Sequence, residues 1–195
     1  RDTDRSRGLG DVYKRQAATH GDVTICGCIP THMEALTAKL LEMGARVEER
    51  DDAIRVRSIG DHRAVTFKTQ VYPGFPTDLQ APMMAVACKT PGTSVFLETI
   101  FENRFGYARE LKKLGAQLRQ DENTVHLRGA PQLYAAQLFA EDLRGGAALV
   151  LAAMQAEGES TIFGVKHIER GYDTLEAALQ SVGARLKTVE IPKKM

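Results

Sequence analysis

A helix-stop pattern that occurs three times constrains this 195-residue chain more than any other feature. Leu40-Leu-Glu-Met-Gly-Ala-Arg-Val47, Leu111-Lys-Lys-Leu-Gly-Ala-Gln-Leu118 and Leu179-Gln-Ser-Val-Gly-Ala-Arg-Leu186 each read as a last helical turn, a C′ glycine and the start of a strand. Upstream of each stands another glycine before a β-prone run, in Gly21-Asp-Val-Thr-Ile25, Gly92-Thr-Ser-Val-Phe96 and Gly158-Glu-Ser-Thr-Ile162. The two glycines of each unit lie 23, 23 and 25 residues apart, and the opening glycines 71 and 66 apart. Residues 51–56 and 121–127 add a polar turn followed by apolar–polar alternation, which predicts hairpins. Further helices are predicted after Asp78-Leu-Gln80 and Asp142-Leu-Arg144, apolar through 81–88 and 147–154, each aspartate standing where an N-cap would sit. Such a period is too long for common solenoids, so the chain is expected to form a few α/β modules around a shared core.

Composition narrows the function classes. With 43% hydrophobic and 26% charged residues the chain buries a core rather than staying disordered. A net charge of +1 lacks the cationic excess that nonspecific nucleic-acid binding requires. The uncharged run 145–156 has 12 residues, short of the roughly 18 that span a bilayer, and reads as a buried helix. No export signal is visible, so a cytoplasmic location without membrane partners is expected. Cys26, Cys28 and Cys88 are read as packed thiols, the first two on one face of a strand. The five histidines show no paired ligand spacing, and neither a P-loop nor a dinucleotide fingerprint occurs, so neither a metal nor a cofactor is expected. Residues 1–16 hold five basic and three acidic residues with no periodicity, and are read as a non-native leader ahead of a folded unit at 17–195.

Four inter-element segments carry the candidate chemistry. In Tyr72-Pro-Gly-Phe-Pro-Thr-Asp78-Leu-Gln80 a rigid turn leads into a helix, so Asp78 is either an N-cap or a positioned general base. Glu98-Thr-Ile100-Phe-Glu-Asn-Arg104-Phe105 is a strand end of high charge density. Glu141-Asp142-Leu-Arg144-Gly-Gly146 sets an arginine beside two glycines that permit close backbone approach, and Lys166-His-Ile-Glu-Arg170-Gly-Tyr172 lies between a strand and a helix. Arg104, Arg144 and Arg170 thus share strand-to-helix junctions, either as surface ion-pair partners or as one anion-binding rim.

These four motifs, in this order, resemble the enolpyruvyl transferase family, and within it the UDP-N-acetylglucosamine 1-carboxyvinyltransferases, over roughly residues 21–190. The resemblance implies one lobe of an inside-out α/β barrel of βαβαββ modules, the C-terminal lobe, with the partner lobe and its general-acid cysteine missing. It implies transfer of the enolpyruvyl group of phosphoenolpyruvate to the sugar 3-hydroxyl with release of phosphate, no cofactor, and a place in peptidoglycan synthesis, hence in cell shape, cell cycle and division. By the same resemblance Asp78 is the base and holds the sugar. Ile100 and Phe101 contact the UDP-sugar, Arg104, Arg144 and Arg170 bind phosphoenolpyruvate, and Asp142 positions the intermediate. A lone lobe is expected to be inactive. The alternatives are a 3-phosphoshikimate-using relative and a noncatalytic repeat domain that binds a UDP-sugar or a partner protein.

Overall fold

In the computed structural model residues 21–58, 60, 62–172 and 174–190 are described; the leader reading at 1–16 lies outside them, as do the ends of the 17–195 unit. Strand β1 (Asp22–Cys26) is followed by helix α1 (Glu34–Glu42) and the hairpin β2 (Arg46–Glu49) and β3 (Ala53–Arg57). These strands form an antiparallel sheet in the order β1-β3-β2. The next stretch runs β4 (Thr66–Lys68), α2 (Gln80–Ala87), β5 (Thr93–Leu97), α3 (Ala108–Lys113), β6 (Gln117–Asp121) and β7 (Thr124–Arg128). Its sheet has the order β4-β5-β7-β6, with β4 and β5 parallel across the α2 crossover. A second parallel crossover joins β8 (Gln137–Phe139) through α4 (Leu143–Ala153) to β9 (Thr161–Phe163), and α5 (Val165–Glu169) and α6 (Leu175–Ser181) follow.

The three helix stops take one shape, for a local reason. After α1, Gly44 at φ 96° lets its N–H reach the Leu41 carbonyl at 2.9 Å, while the Ala45 N–H reaches Leu40 at 2.9 Å. Gly115 (φ 96°) with Ala116 after α3, and Gly183 (φ 84°) with Ala184 after α6, repeat these two bonds. Only glycine enters this left-handed region without a Cβ penalty, which is why the sequence signal is strong. The strand predicted after Gly183 does not form. β2 and β6 each pair with a following hairpin strand, whereas among the described residues 184–190 pairs with no strand, and its Leu186 and Thr188 bond instead to side chains of α6, Gln180 and Glu176.

The helices, not the strands, sit innermost. Every residue of α2 is buried, as an all-round apolar helix must be, and α4 buries seven of its eleven residues. The Gln155 amide ties the end of α4 to α2 by donating to the Ala85 carbonyl at 2.8 Å. One continuous core joins these helices to Ile54 and Val56 of β3, Phe67 of β4, Phe96 of β5 and Val125 and Leu127 of β7. Phe67 and Phe96 stack at 4.6 Å, fully buried, each burial stabilising by roughly 1.5–3 kcal/mol. The outward faces carry charge, as in the Asp22–Arg55 and Glu48–Arg57 pairs. Met83 and Met84 fill the core as expected. The cysteine reading needs correction: Gly27 at φ 71° ends the strand alternation, leaving Cys26 exposed and Cys28 buried. Burial pushes the Cys88 thiol up to about 12. No helix among the described residues is long and apolar enough to cross a membrane.

Candidate active site

Two crossover helices begin side by side, and the site grows from their first turns. The segment before α2 closes into a 3-10 turn at Thr77–Leu79 that holds Asp78. The N-cap of α2 is Leu79, with no side-chain bond, so Asp78 is not the cap its spacing allowed. Its carboxylate instead accepts a hydrogen bond from Arg144 Nε, across the gap between α2 and α4. An ion pair about one-third exposed contributes at most about 1 kcal/mol, so its consequence is positional. The bond to Asp78 pushes the Arg144 guanidinium further above its usual range, outweighing partial burial, and Tyr172 and Asp142 add to the effect.

Asp142 is the N-cap of α4 that the sequence predicts. Its Oδ1 accepts from the main-chain N–H groups of Arg144 at 2.9 Å and Gly145 at 2.8 Å. The glycines beside it permit two close approaches. A Cβ at Gly145 would stand 3.0 Å from Cβ of Tyr107, and one at Gly146 would stand 2.6 Å from Cγ1 of Ile168. Bare backbone here brings the α3 and α5 sides of the site against the first turn of α4.

Arg104 follows β5 and lays its guanidinium over the Phe101 ring at 4.4 Å, a cation–π contact of about 0.5–2 kcal/mol. Phe101 itself is 50% exposed. The Arg104 Nε is buried and finds no acceptor among the described residues. Arg104, Arg144, Asp142, Phe101, Thr77 and Tyr107 all border one cleft of about 460 Å³, the size of a small-molecule site. Its wall carries two guanidinium groups that can hold a phosphate or carboxylate, together with the carboxylates of Glu102, Glu141 and Asp142. Asp78 does not line the cleft and adjoins it through its bond to Arg144.

Of the predicted residues, the cleft lining joins Arg104, Arg144, Asp142 and Phe101, and Asp78 is tied to it through Arg144. Ile100 is not among the cleft's lining residues, and its main-chain N–H donates to Glu98 at 2.8 Å. Arg170 is not among the cleft's lining residues. It is exposed at the end of α5, an extra helix where the sequence predicts only a junction. It stands twelve residues after Gly158, as Arg104 does after Gly92, and the neighbouring Gly171 packs against Leu143 of α4. What sequence reasoning missed is the buried scaffold of Glu98, Gln80 and Tyr107. Burial pushes the Glu98 carboxyl up, but bonds from Thr69, Ile100, Thr77 and Phe101 outweigh it and hold it below its ordinary range. Burial also drives the Tyr107 phenol well above its usual range.

Comparisons with known proteins agree on one family. A family-wide sequence model described as EPSP synthase (3-phosphoshikimate 1-carboxyvinyltransferase) matches residues 15–179. The UDP-N-acetylglucosamine 1-carboxyvinyltransferase 3 of Caldanaerobacter subterraneus subsp. tengcongensis is 49% identical over 175 residues, covering 90% of this chain and 42% of its own length. The UDP-N-acetylglucosamine 1-carboxyvinyltransferase of Desulfofundulus thermocisternus is 49% identical over 177 residues, covering 91% of this chain and 73% of its own length. Among solved structures, the enolpyruvyl transferase NikO from Streptomyces tendae superposes with a TM-score of 0.82 at 26% identity, over 92% of this chain and 43% of that one. EPSP synthase from Acinetobacter baumannii, 18% identical with a TM-score of 0.71, has the same fold over 95% of this chain and 47% of its own.

Proposed function

Because the chain belongs to the EPSP synthase family, we propose that its cleft is one wall of an enolpyruvyl transfer site. The substrates are phosphoenolpyruvate and UDP-N-acetylglucosamine, and the chain (17–195) is the C-terminal lobe of the enzyme, acting in the cytoplasm in peptidoglycan synthesis. The observation that carries this reading is the convergence of Arg104, Arg144 and Asp142 on one cleft beside Asp78, in a chain 49% identical to proteins named for that reaction. Asp78 accepts the proton of the sugar 3-hydroxyl as the sugar oxygen bonds to C2 of phosphoenolpyruvate, and C3 takes up a proton from the general-acid cysteine expected on the partner lobe. The tetrahedral intermediate then loses phosphate as C3 returns that proton to the thiolate, and the leaving phosphate carries off the proton held by Asp78. Arg104 and Arg144 neutralise the phosphate and carboxylate through both steps, where fixed charge in a partly dry cleft acts most strongly. Arg170, exposed at the end of α5 and outside the cleft lining, supplies by the family resemblance a third cation for phosphoenolpyruvate, and Asp142 holds the first turn of α4 in place. Phe101, with Ile100 beside it, presents the sugar side of the cleft.

The chain spans about 42% of the length of the Caldanaerobacter relative, so turnover is to be measured with this chain grafted in place of the matching stretch of that protein. In the graft, Asp78→Asn retains substrate binding and loses phosphate release by about 100-fold or more, the usual scale of a general base. Full activity would exclude Asp78 as the base. Arg170→Ala weakens apparent phosphoenolpyruvate affinity, and an unchanged affinity would remove Arg170 from the rim. The family model's own description favours a second acceptor, 3-phosphoshikimate, which competition binding with UDP separates from the first.

A further inference from the structure

We propose that Glu98 is a positioning residue whose buried carboxylate clamps the turn that carries Asp78 to the loop that carries Ile100, Phe101 and Arg104. The inference rests on the enolpyruvyl reading above, for it assigns the clamp to the same site. Glu98 is only 2% exposed, and a carboxylate that deep persists only when its lone pairs are satisfied. Five donors do so, from three separate segments. Oε1 accepts from Thr69 Oγ1 at 2.7 Å and from the main-chain N–H groups of Ile100 at 2.8 Å and Phe101 at 3.2 Å. Oε2 accepts from Thr77 Oγ1 and Gln80 Nε2, both at 2.8 Å. Thr77 and Gln80 flank Asp78 in sequence, one residue before it and two after. One carboxylate therefore holds the proposed base and the anion-binding loop in fixed relation.

The clamp is itself held. Asn123 of the β6–β7 turn donates its side-chain amide to the Glu98 carbonyl at 3.0 Å, and the Glu98 N–H donates to the Asn123 carbonyl at 2.9 Å. On the other side, the Gln80 amide oxygen accepts from the Tyr107 hydroxyl at 3.4 Å, and Tyr107 packs where Gly145 lacks a side chain. The network thus runs from the end of β4 to the first turn of α4 and meets Arg104 through the Phe101 ring that the guanidinium covers. Misplacing a reacting group by about 1 Å can cost 100-fold in rate, so loosening the clamp on the Asp78 side, at Thr77, acts on turnover rather than on phosphoenolpyruvate binding.

The test separates placement from folding. In the graft, Thr77→Val deletes one donor next to Asp78 while keeping the side-chain shape, and Thr77→Ser restores the hydroxyl. Thr77→Val is expected to lower kcat about tenfold or more with KM for phosphoenolpyruvate within twofold, and Thr77→Ser to recover most of it. In the 195-residue chain itself, Glu98→Gln is expected to raise amide hydrogen exchange at Ile100 and Phe101 while residues 147–152 of α4 stay protected. An unchanged kcat in Thr77→Val, or unchanged exchange at Ile100 and Phe101 in Glu98→Gln, would overturn the clamp. A graft inactive with the unmutated chain would overturn the enolpyruvyl reading and the positioning role with it, even where the exchange result stands.

Discussion

Replacing Asp142 separates its structural role from any role toward substrate, because the two substitutions Asp142→Ala and Asp142→Asn differ in what they remove. Alanine deletes an acceptor that holds two main-chain N–H groups, at 2.9 and 2.8 Å, in the first turn of α4. Loss of such a cap costs about 1 kcal/mol, within a range of roughly 0.5–2, and loss of negative charge at a helix N-terminus adds about 0.3–1 kcal/mol. The sum for alanine is about 1–3 kcal/mol. Asparagine keeps the acceptor and loses only the charge, so it costs about 0.3–1 kcal/mol. For a chain of this size each kcal/mol lowers Tm by about 2–4 °C. Thermal unfolding should therefore show Asp142→Ala several degrees below wild type, with Asp142→Asn within about 4 °C of wild type. Equal Tm for wild type and Asp142→Ala, or Asp142→Asn as low as Asp142→Ala, would refute the capping argument. If Asp142 acts only through the cap, the asparagine graft also keeps its kcat.

Two further outcomes follow from packing and charge. Gly146→Ala sets a Cβ 2.6 Å from buried Ile168, whereas Gly106→Ala meets nothing within 4 Å, so thermal unfolding should find Gly146→Ala the less stable of the two by about 1–3 kcal/mol. Because the folded Glu98 carboxyl lies below its ordinary value of 4.5, it contributes stability that is present above that value and lost as pH falls through the lower folded one. Urea midpoints between pH 6 and pH 3 should therefore fall more steeply for wild type than for Glu98→Gln, and parallel slopes would contradict the assignment.

Local signals in the sequence carried much of the fold. The Leu-x-x-x-Gly-Ala stops were legible because the left-handed glycine and its two backbone bonds are set within six residues. The buried helix at 145–156 was legible from an unbroken apolar run, although it starts two residues earlier, at Leu143. The strand at 184–186 was misread because a strand needs a partner, and a partner is not written in the strand's own residues. Asp78 was ambiguous for a similar reason: its turn looks like a cap, but its bond is to Arg144, 66 residues away. The role of Glu98 is not legible in its own segment because its side-chain donors, Thr69, Thr77 and Gln80, lie 29, 21 and 18 residues from it. On sequence alone a carboxylate at a strand end reads as solvated. Arg170 shares its sequence offset with Arg104, yet the inserted α5 leaves it outside the cleft lining.

The most direct test of the central claim is phosphate release by the graft, with phosphoenolpyruvate as donor and each of two acceptors in turn. The account predicts release with UDP-N-acetylglucosamine and none above background with 3-phosphoshikimate. Release with 3-phosphoshikimate alone, or with neither acceptor while the unaltered Caldanaerobacter protein remains active, would contradict it.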